Sequence, residues 1–188
     1  ELRDEGGFTV IDLRPLLAGD DSGRARYWPY DTHWTIWSGY LAAGALLETL
    51  APHWPGARLL QGDQISWISM PYVQDLWRML GEAPDPAREV TDQPWPRRFQ
   101  ATMTKLPDGI TISQRPDLQG PRVVLSGDSF RNALKPWLEE SLPSLIDVPL
   151  EPPSRLPGAL LAHPGDVLVV VLVERDLHPD SIGRLMGR

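Results

Sequence analysis

The chain has no cysteine. Disulfides, thiolate nucleophiles and cysteine-based zinc sites are therefore excluded. Long apolar runs are missing too: no stretch approaches the ~18 consecutive apolar residues that a membrane-spanning helix needs, and no signal-peptide pattern is visible. Positive charge is scarce, with 18 Lys and Arg against 25 Asp and Glu, a formal net charge of −7. Binding a phosphate backbone takes a basic face, so nucleic acid is not an expected partner. The adjacent Arg97 and Arg98 read as a solvated charge pair. No internal repeat divides the 188 residues, a length that suits a single domain over 1–188 with a core of its own. Two residue types run the other way, 20 prolines and eight tryptophans. Prolines at that density punctuate a loop-rich fold. Tryptophans fill cores or stack on flat apolar faces such as sugar rings.

Phe8 to Leu13, "FTVIDL", reads as a short strand. "RYWPYDTHWT" is aromatic and polar without a period, and Pro29 makes it a loop. Ile36, Tyr40, Ala43, Leu47 and Leu50 then recur at helical steps, with Thr35 placed to cap the helix and Pro52 to stop it. Val73 to Leu80 reads as a short helix, and "EAPDPAREVTDQPWP" as a Pro-rich surface loop. "FQATMTKLPDGITIS" carries two β-type runs around Pro107-Asp108-Gly109, a hairpin signal. "RVVLSGDSF" gives a strand, a tight turn and a helix start; Pro136 inside that helix predicts a kink or an early stop. "DVLVVVLVE", Asp166 to Glu174, reads as a central strand buried on both faces. Strands alternating with helices make an α/β fold with an at least partly parallel sheet.

In such sheets, functional groups collect at the carboxyl ends of strands. Ser129 stands there, after Ser126-Gly127-Asp128 and at the start of a helix. Its backbone N–H can donate to a developing oxyanion with the helix dipole assisting. The competing reading is a plain N-cap by Asp128 or Ser129. A nucleophilic serine needs a base, and there are four histidines. His53, His163 and His178 have no telling polar neighbourhood beyond a nearby carboxylate. His33 does: in "YDTHW", Asp31 lies two residues before it and, in extended chain, on the same side. Asp31 can accept from Nδ1–H and leave Nε2 to take the serine proton. A simple loop bonded to its own backbone is the alternative. Asp31 and His33 also form a partial metal-ligand set, but no further cluster completes the three or four ligands a site needs, so no metal and no cofactor is expected.

"YDTHWTIWSGYLAAGALLETL" followed by "RVVLSGDSF" resembles the SGNH-hydrolase-like domain of the AlgJ/AlgX family of alginate O-acetyltransferases. "VIDLRPLL", "QDLWRMLG" and "VLVVVLVER" fit the same pattern in the same order. The resemblance implies an α/β/α sandwich related to flavodoxin-like folds, with a mostly parallel central sheet; the hairpin reads as an insertion in it. It implies Ser129 as nucleophile, His33 as general base and then acid, and Asp31 as the orienting carboxylate. It also implies a periplasmic or envelope location and transfer of acetyl groups to a secreted polysaccharide. The partners would be that acceptor and an acetyl donor, with a membrane-associated protein as one possible source. Only about thirty residues precede Asp31, fewer than the family usually carries, so the N-terminal part is expected to be shortened.

Around the base, Tyr30, Trp28 and Trp34 are candidate platforms for a sugar ring, or else packing for the motif loop; Trp37, on the helix, reads as packing. Arg131 and Asn132, just after the serine, are candidate substrate contacts or ordinary first-turn residues. Asp75 matches a recurring position of the family, with no physical role beyond capping or loop bonding. Glu174 and Arg175 read as a structural ion pair. Two other functions stay open: an esterase with the same triad, and a non-catalytic polysaccharide-binding subunit.

Overall fold

A computed structural model describes residues 9–70, 75–82, 91–150 and 155–173 of the chain. In chain order the elements are α1 (Arg14–Gly19), α2 (Ile36–Leu50), β1 (Ile65–Met70), α3 (Asp75–Met79), β2 (Thr91–Pro96), β3 (Thr102–Lys105), β4 (Thr111–Gln114), β5 (Arg122–Gly127), α4 (Arg131–Ser141), β6 (Ser144–Pro149), α5 (Arg155–Ala162) and β7 (Val167–Val171). Val73, most of the Pro-rich segment, Glu174, Arg175 and His178 lie outside the described residues.

Five strands form one sheet in the order β3-β4-β6-β5-β7. The sheet is mixed, not mostly parallel. β5 pairs in parallel with both β6 and β7, whereas β3–β4 and β4–β6 are antiparallel. The predicted hairpin forms as β3–β4, and β4 extends the main sheet alongside β6. Side chains alternate across β5. Val123 and Leu125 face a core shared with α2 and α4, while Val124 faces a second core with Ile146, Val148 and Leu156 of α5. Helices thus cover both faces.

The helix at 36–50 forms where its periodicity puts it. Thr35 caps it, its hydroxyl accepting from the Ser38 N–H at 3.2 Å. Its buried face includes Gly39, Ala42, Ala43, Leu46 and Leu50. Gly39 lies so close to α4 that a Cβ there would sit 2.3 Å from the Ala133 carbonyl oxygen. Helix α4 carries Pro136 in its interior and still runs on to Ser141, so the predicted early stop does not occur. Trp137 and Leu138 hold it in the core, both fully buried, and that burial outweighs one missing backbone hydrogen bond.

Three expectations fail for non-local reasons. Residues 9–13 form no strand; Ile11 and Leu13 pack against the main core instead. The end of the Pro-rich segment is strand β2, which pairs antiparallel with β1 in a separate two-stranded ribbon. Among the described residues β7 is an edge strand rather than a central one, with β5 its one partner. Val167, Val169 and Val171 face the core, while Leu168 and Val170 point outward and are 42% and 39% exposed. A continuous apolar run does not reveal how many neighbours its strand has.

Beneath the sheet lies a charged network. Asp147 of β6 takes Arg131 Nε at 2.7 Å and Lys135 Nζ at 2.9 Å, and Glu139 accepts from the Ser113 hydroxyl at 2.8 Å. Burial pushes the Glu139 carboxyl above its ordinary range, against the pull of Ser113 and Lys135. The folded protein thus holds this proton more tightly than the unfolded chain. The associated stability is fully present below the unfolded value and is lost as pH rises through the folded one. Glu139→Gln, which stays neutral, is expected to raise the thermal midpoint near neutral pH. The gain should shrink to nothing at about pH 4, where the parent carboxyl is also protonated. Paired melting curves at the two pH values check this.

Candidate active site

The segment before α2 folds back on itself. Tyr27 and Trp34 form an antiparallel bridge, the Trp28 N–H donates to the His33 carbonyl, and the Asp31 N–H donates to the Trp28 carbonyl. Pro29 and Tyr30 occupy the middle of that last turn. Tyr30 has φ 59°, the one non-glycine with positive φ among the described residues. Proline second and a left-handed residue third is the type II pattern, in which glycine is the unstrained choice. Tyrosine here costs the backbone about 1 kcal/mol or more.

The turn aims Asp31 and His33. One carboxylate oxygen of the buried Asp31, Oδ1, accepts from both the His33 backbone N–H at 2.8 Å and His33 Nδ1 at 2.7 Å. The two side chains meet because the aspartate bonds the chain two residues on, as in an Asx turn, and not because the segment is an extended strand. The His33 side chain is 34% exposed.

The serine comes from the opposite direction. At the end of β5, Gly127 has φ 150°, and a Cβ there would meet the Val171 carbonyl oxygen at 2.1 Å. Only glycine lets the chain leave the strand so close to β7. Asp128 fastens the turn: Oδ1 accepts from the Phe130 N–H at 2.8 Å and Oδ2 from the Val173 N–H at 2.7 Å. Ser129 is left exposed at the head of α4, and among the described residues no acceptor takes its N–H.

His33 Nε2 and Ser129 Oγ lie 2.6 Å apart across 96 residues of sequence. The structure thus brings Asp31, His33 and Ser129 into one continuous hydrogen-bonded chain. Phe130 holds the two halves together. Its ring packs against His33 and Trp34, both at 5.4 Å between centroids, and its carbonyl accepts from the Trp34 indole N–H at 2.8 Å.

The remaining predicted residues fall into two groups. Trp34 is buried and holds the serine turn, with no face free for a sugar. Arg131 is engaged by Asp147 and by the carbonyls of Gly127 and Asp128, so it braces the same turn. Tyr30 and Asn132 are exposed beside the centre and Trp28 is half-buried. The Tyr30 ring tilts against Trp77 of α3 at 5.4 Å. Trp37 packs as expected, stacked on Tyr40 with its N–H on Asp20. His53 and His163 lie elsewhere in the chain, without a serine partner.

Sequence reasoning gave Asp75 no role beyond capping or loop bonding, and the structure shows the loop bonding. Its carboxylate accepts the Thr32 N–H at 2.7 Å and the Thr32 hydroxyl in a short bond, and its Oδ2 lies 3.5 Å from His33 Nδ1. Burial would raise its pKa, but the two Thr32 hydrogen bonds and the nearby imidazole bring it below the ordinary carboxylate range. Asp31, His33 and Asp75 offer ligand atoms within 4.8 Å of one another, the one group of this kind among the described residues. Its histidine atom on that side is the nitrogen that Asp31 already engages.

A cavity of about 900 Å³ lies away from this chemistry, and none of Asp31, His33 and Ser129 lines it. Leu47 and Glu48 of α2 and Glu140 of α4 line it, together with Arg97 and Arg98. It therefore sits toward the carboxyl ends of the two helices whose amino ends carry His33 and Ser129.

The family described as SGNH hydrolase-like domain, acetyltransferase AlgX, matches residues 2–146. The chain belongs to this family. Among solved structures, a DHHW family protein from Eubacterium siraeum is similar with a TM-score of 0.63 and 12% identity, over 89% of this chain and 65% of that one. PatB1 of Bacillus cereus, solved with a sulfonyl adduct, is similar with a TM-score of 0.60 and 12% identity, over 84% of this chain and 62% of PatB1. At such identities these likenesses show the fold, and the chain spans under two thirds of either protein. No curated protein matches it. Membership of the AlgX family fits an acyltransferase or esterase, and no helix among the described residues is long and apolar enough to cross a membrane.

Proposed function

We propose that this domain is an O-acetyltransferase that moves acetyl groups onto a secreted polysaccharide through an acetyl-serine intermediate. The observation that carries the reading is the 2.6 Å approach of His33 Nε2 to Ser129 Oγ, with Asp31 on the other ring nitrogen. In the first half-reaction Ser129 Oγ attacks the acetyl carbonyl of the donor as its proton passes to His33. The oxyanion that forms is met by the Ser129 N–H at the head of α4. Collapse expels the donor alcohol, which takes the proton from His33 and leaves acetyl-serine. A sugar hydroxyl then attacks, giving its proton to His33. Collapse releases the acetylated sugar, and Ser129 recovers the proton. Asp31 holds the tautomer and stabilises the imidazolium in both halves. The acetyl donor, delivered by a membrane-associated partner, and a periplasmic location belong to the same proposal, supported by family membership.

Hydrolysis is the second reading, favoured by the exposure of Ser129 and His33, which leaves water a path to the acyl-serine. The two separate in one experiment: incubate the protein with a chromogenic acetyl ester and an oligosaccharide acceptor, then weigh the acceptor by mass spectrometry. Transfer adds one acetyl group per modified sugar. Ester cleavage with an acceptor of unchanged mass makes the domain an esterase. A polysaccharide-binding subunit without activity would cleave nothing.

A further inference from the structure

His33 stands between two carboxylates. Asp31 engages Nδ1 and the backbone of its own loop, and Asp75 reaches the same loop from α3. The grip is reciprocal. Asp75 receives the amide and hydroxyl of Thr32, while Asp31 Oδ2 faces the Asp75 amide at 3.4 Å and the Tyr30 carbonyl accepts from the Leu76 N–H at 3.1 Å. These bonds bracket the turn whose left-handed Tyr30 would otherwise relax. We propose that Asp75 is a positioning residue for the acyl-transfer step, clamping the Asp31–His33 loop through Thr32 and adding a second negative charge behind the imidazole.

The inference rests on the serine-hydrolase-like reading of the site. Among the described residues, the groups facing the imidazole are Asp31 and Thr32 of its own loop, Asp75 of α3, and Ser129 and Phe130 of the serine turn. The ionised ones are both acidic, so the imidazolium formed at each transfer is met by two anions. Removing one of them disfavours the protonated ring.

The test is steady-state hydrolysis of an acetyl ester by the whole chain, across pH. Asp75→Asn keeps the size and an acceptor for the Thr32 amide but loses the charge. It is expected to lower kcat roughly ten- to hundredfold with KM unchanged. The acid limb of its pH–rate profile should move down by about half a unit to one unit. Thr32→Val should lose part of the same rate, and Thr32→Ser should retain it. The double variant Asp75→Asn/Thr32→Val should be no slower than the slower single variant, because the two act as one clamp. Melting curves identify a variant that has failed to fold; the Thr32 pair then carries the test. Unchanged kcat and an unmoved acid limb in Asp75→Asn overturn the proposal, as does additive loss in the double variant. So does loss of activity on EDTA treatment, which would make the cluster a metal site. Each of these leaves the Ser129 reading in place, whereas full activity in Ser129→Ala would remove that reading first.

Discussion

Ser129→Ala is expected to lower the rate of acetyl-ester cleavage by about 10,000-fold or more while the melting temperature stays put. Ser129 Oγ is exposed, and its hydrogen bond to His33 joins two elements already fixed by Phe130, Trp34 and Asp128. The fold therefore has little to lose, and the chemistry loses its nucleophile. His33→Ala should be comparably slow, and the double variant no slower than either, because a relay missing one member is already broken. A sulfonyl fluoride offers an independent readout, since such reagents label a serine hydroxyl that a neighbouring base activates. Intact-mass measurement should find one adduct on the parent and none on Ser129→Ala, with His33→Ala labelled far more slowly. A Ser129→Ala protein that cleaves the ester at the parental rate sinks the mechanism.

The second large effect is expected far from any reacting atom. Gly39→Ala places a methyl group 2.3 Å from the Ala133 carbonyl oxygen and 2.6 Å from its Cβ. Those atoms belong to the body of α4 and cannot swing aside, so α2 has to move away. Forced overpacking of this kind costs about 2–3 kcal/mol, which for a chain of this length lowers the melting temperature by roughly 5–10 °C. Function should suffer more than stability. His33 precedes the first turn of α2 and Ser129 that of α4, so a wedge between the helices parts the base from its alcohol. A displacement near 1 Å is enough to lose roughly a hundredfold in rate. Gly158→Ala on α5 is the control. Among the described residues nothing outside its own helix turn lies within 4 Å of the added methyl, and relief of helix-glycine entropy should stabilise the protein by about half a kcal/mol to one. Parental activity and melting in Gly39→Ala would mean that α2 and α4 are not packed as described.

How much of this was legible in the sequence depended on the range of the forces involved. Helix α2 was readable to its ends because its cap, apolar stripe and stopping proline are all local. The β3–β4 turn was readable from Pro-Asp-Gly for the same reason. β2 was not: Pro94 and Pro96 mark a loop in any single-sequence reading, and they are tolerated because among the described residues the strand pairs with β1 alone. β7 reads as central, yet its valines show only that one face is buried and say nothing about how many neighbours the strand has; among the described residues it has one. Trp34 and Arg131 were credible substrate contacts until their partners turned out to be Phe130 and Asp147.

By itself the sequence determined the parts: an aspartate that its own turn folds onto the histidine, and a serine that a glycine delivers to the head of a helix. These are consequences of a few neighbouring residues and their allowed backbone angles. Only the tertiary structure decided that the parts meet, because the approach of His33 to Ser129 depends on α2 and α4 packing through Gly39 and on β5 and β7 closing over Gly127. It also decided that Asp75 joins them, from a helix whose place no local pattern fixes.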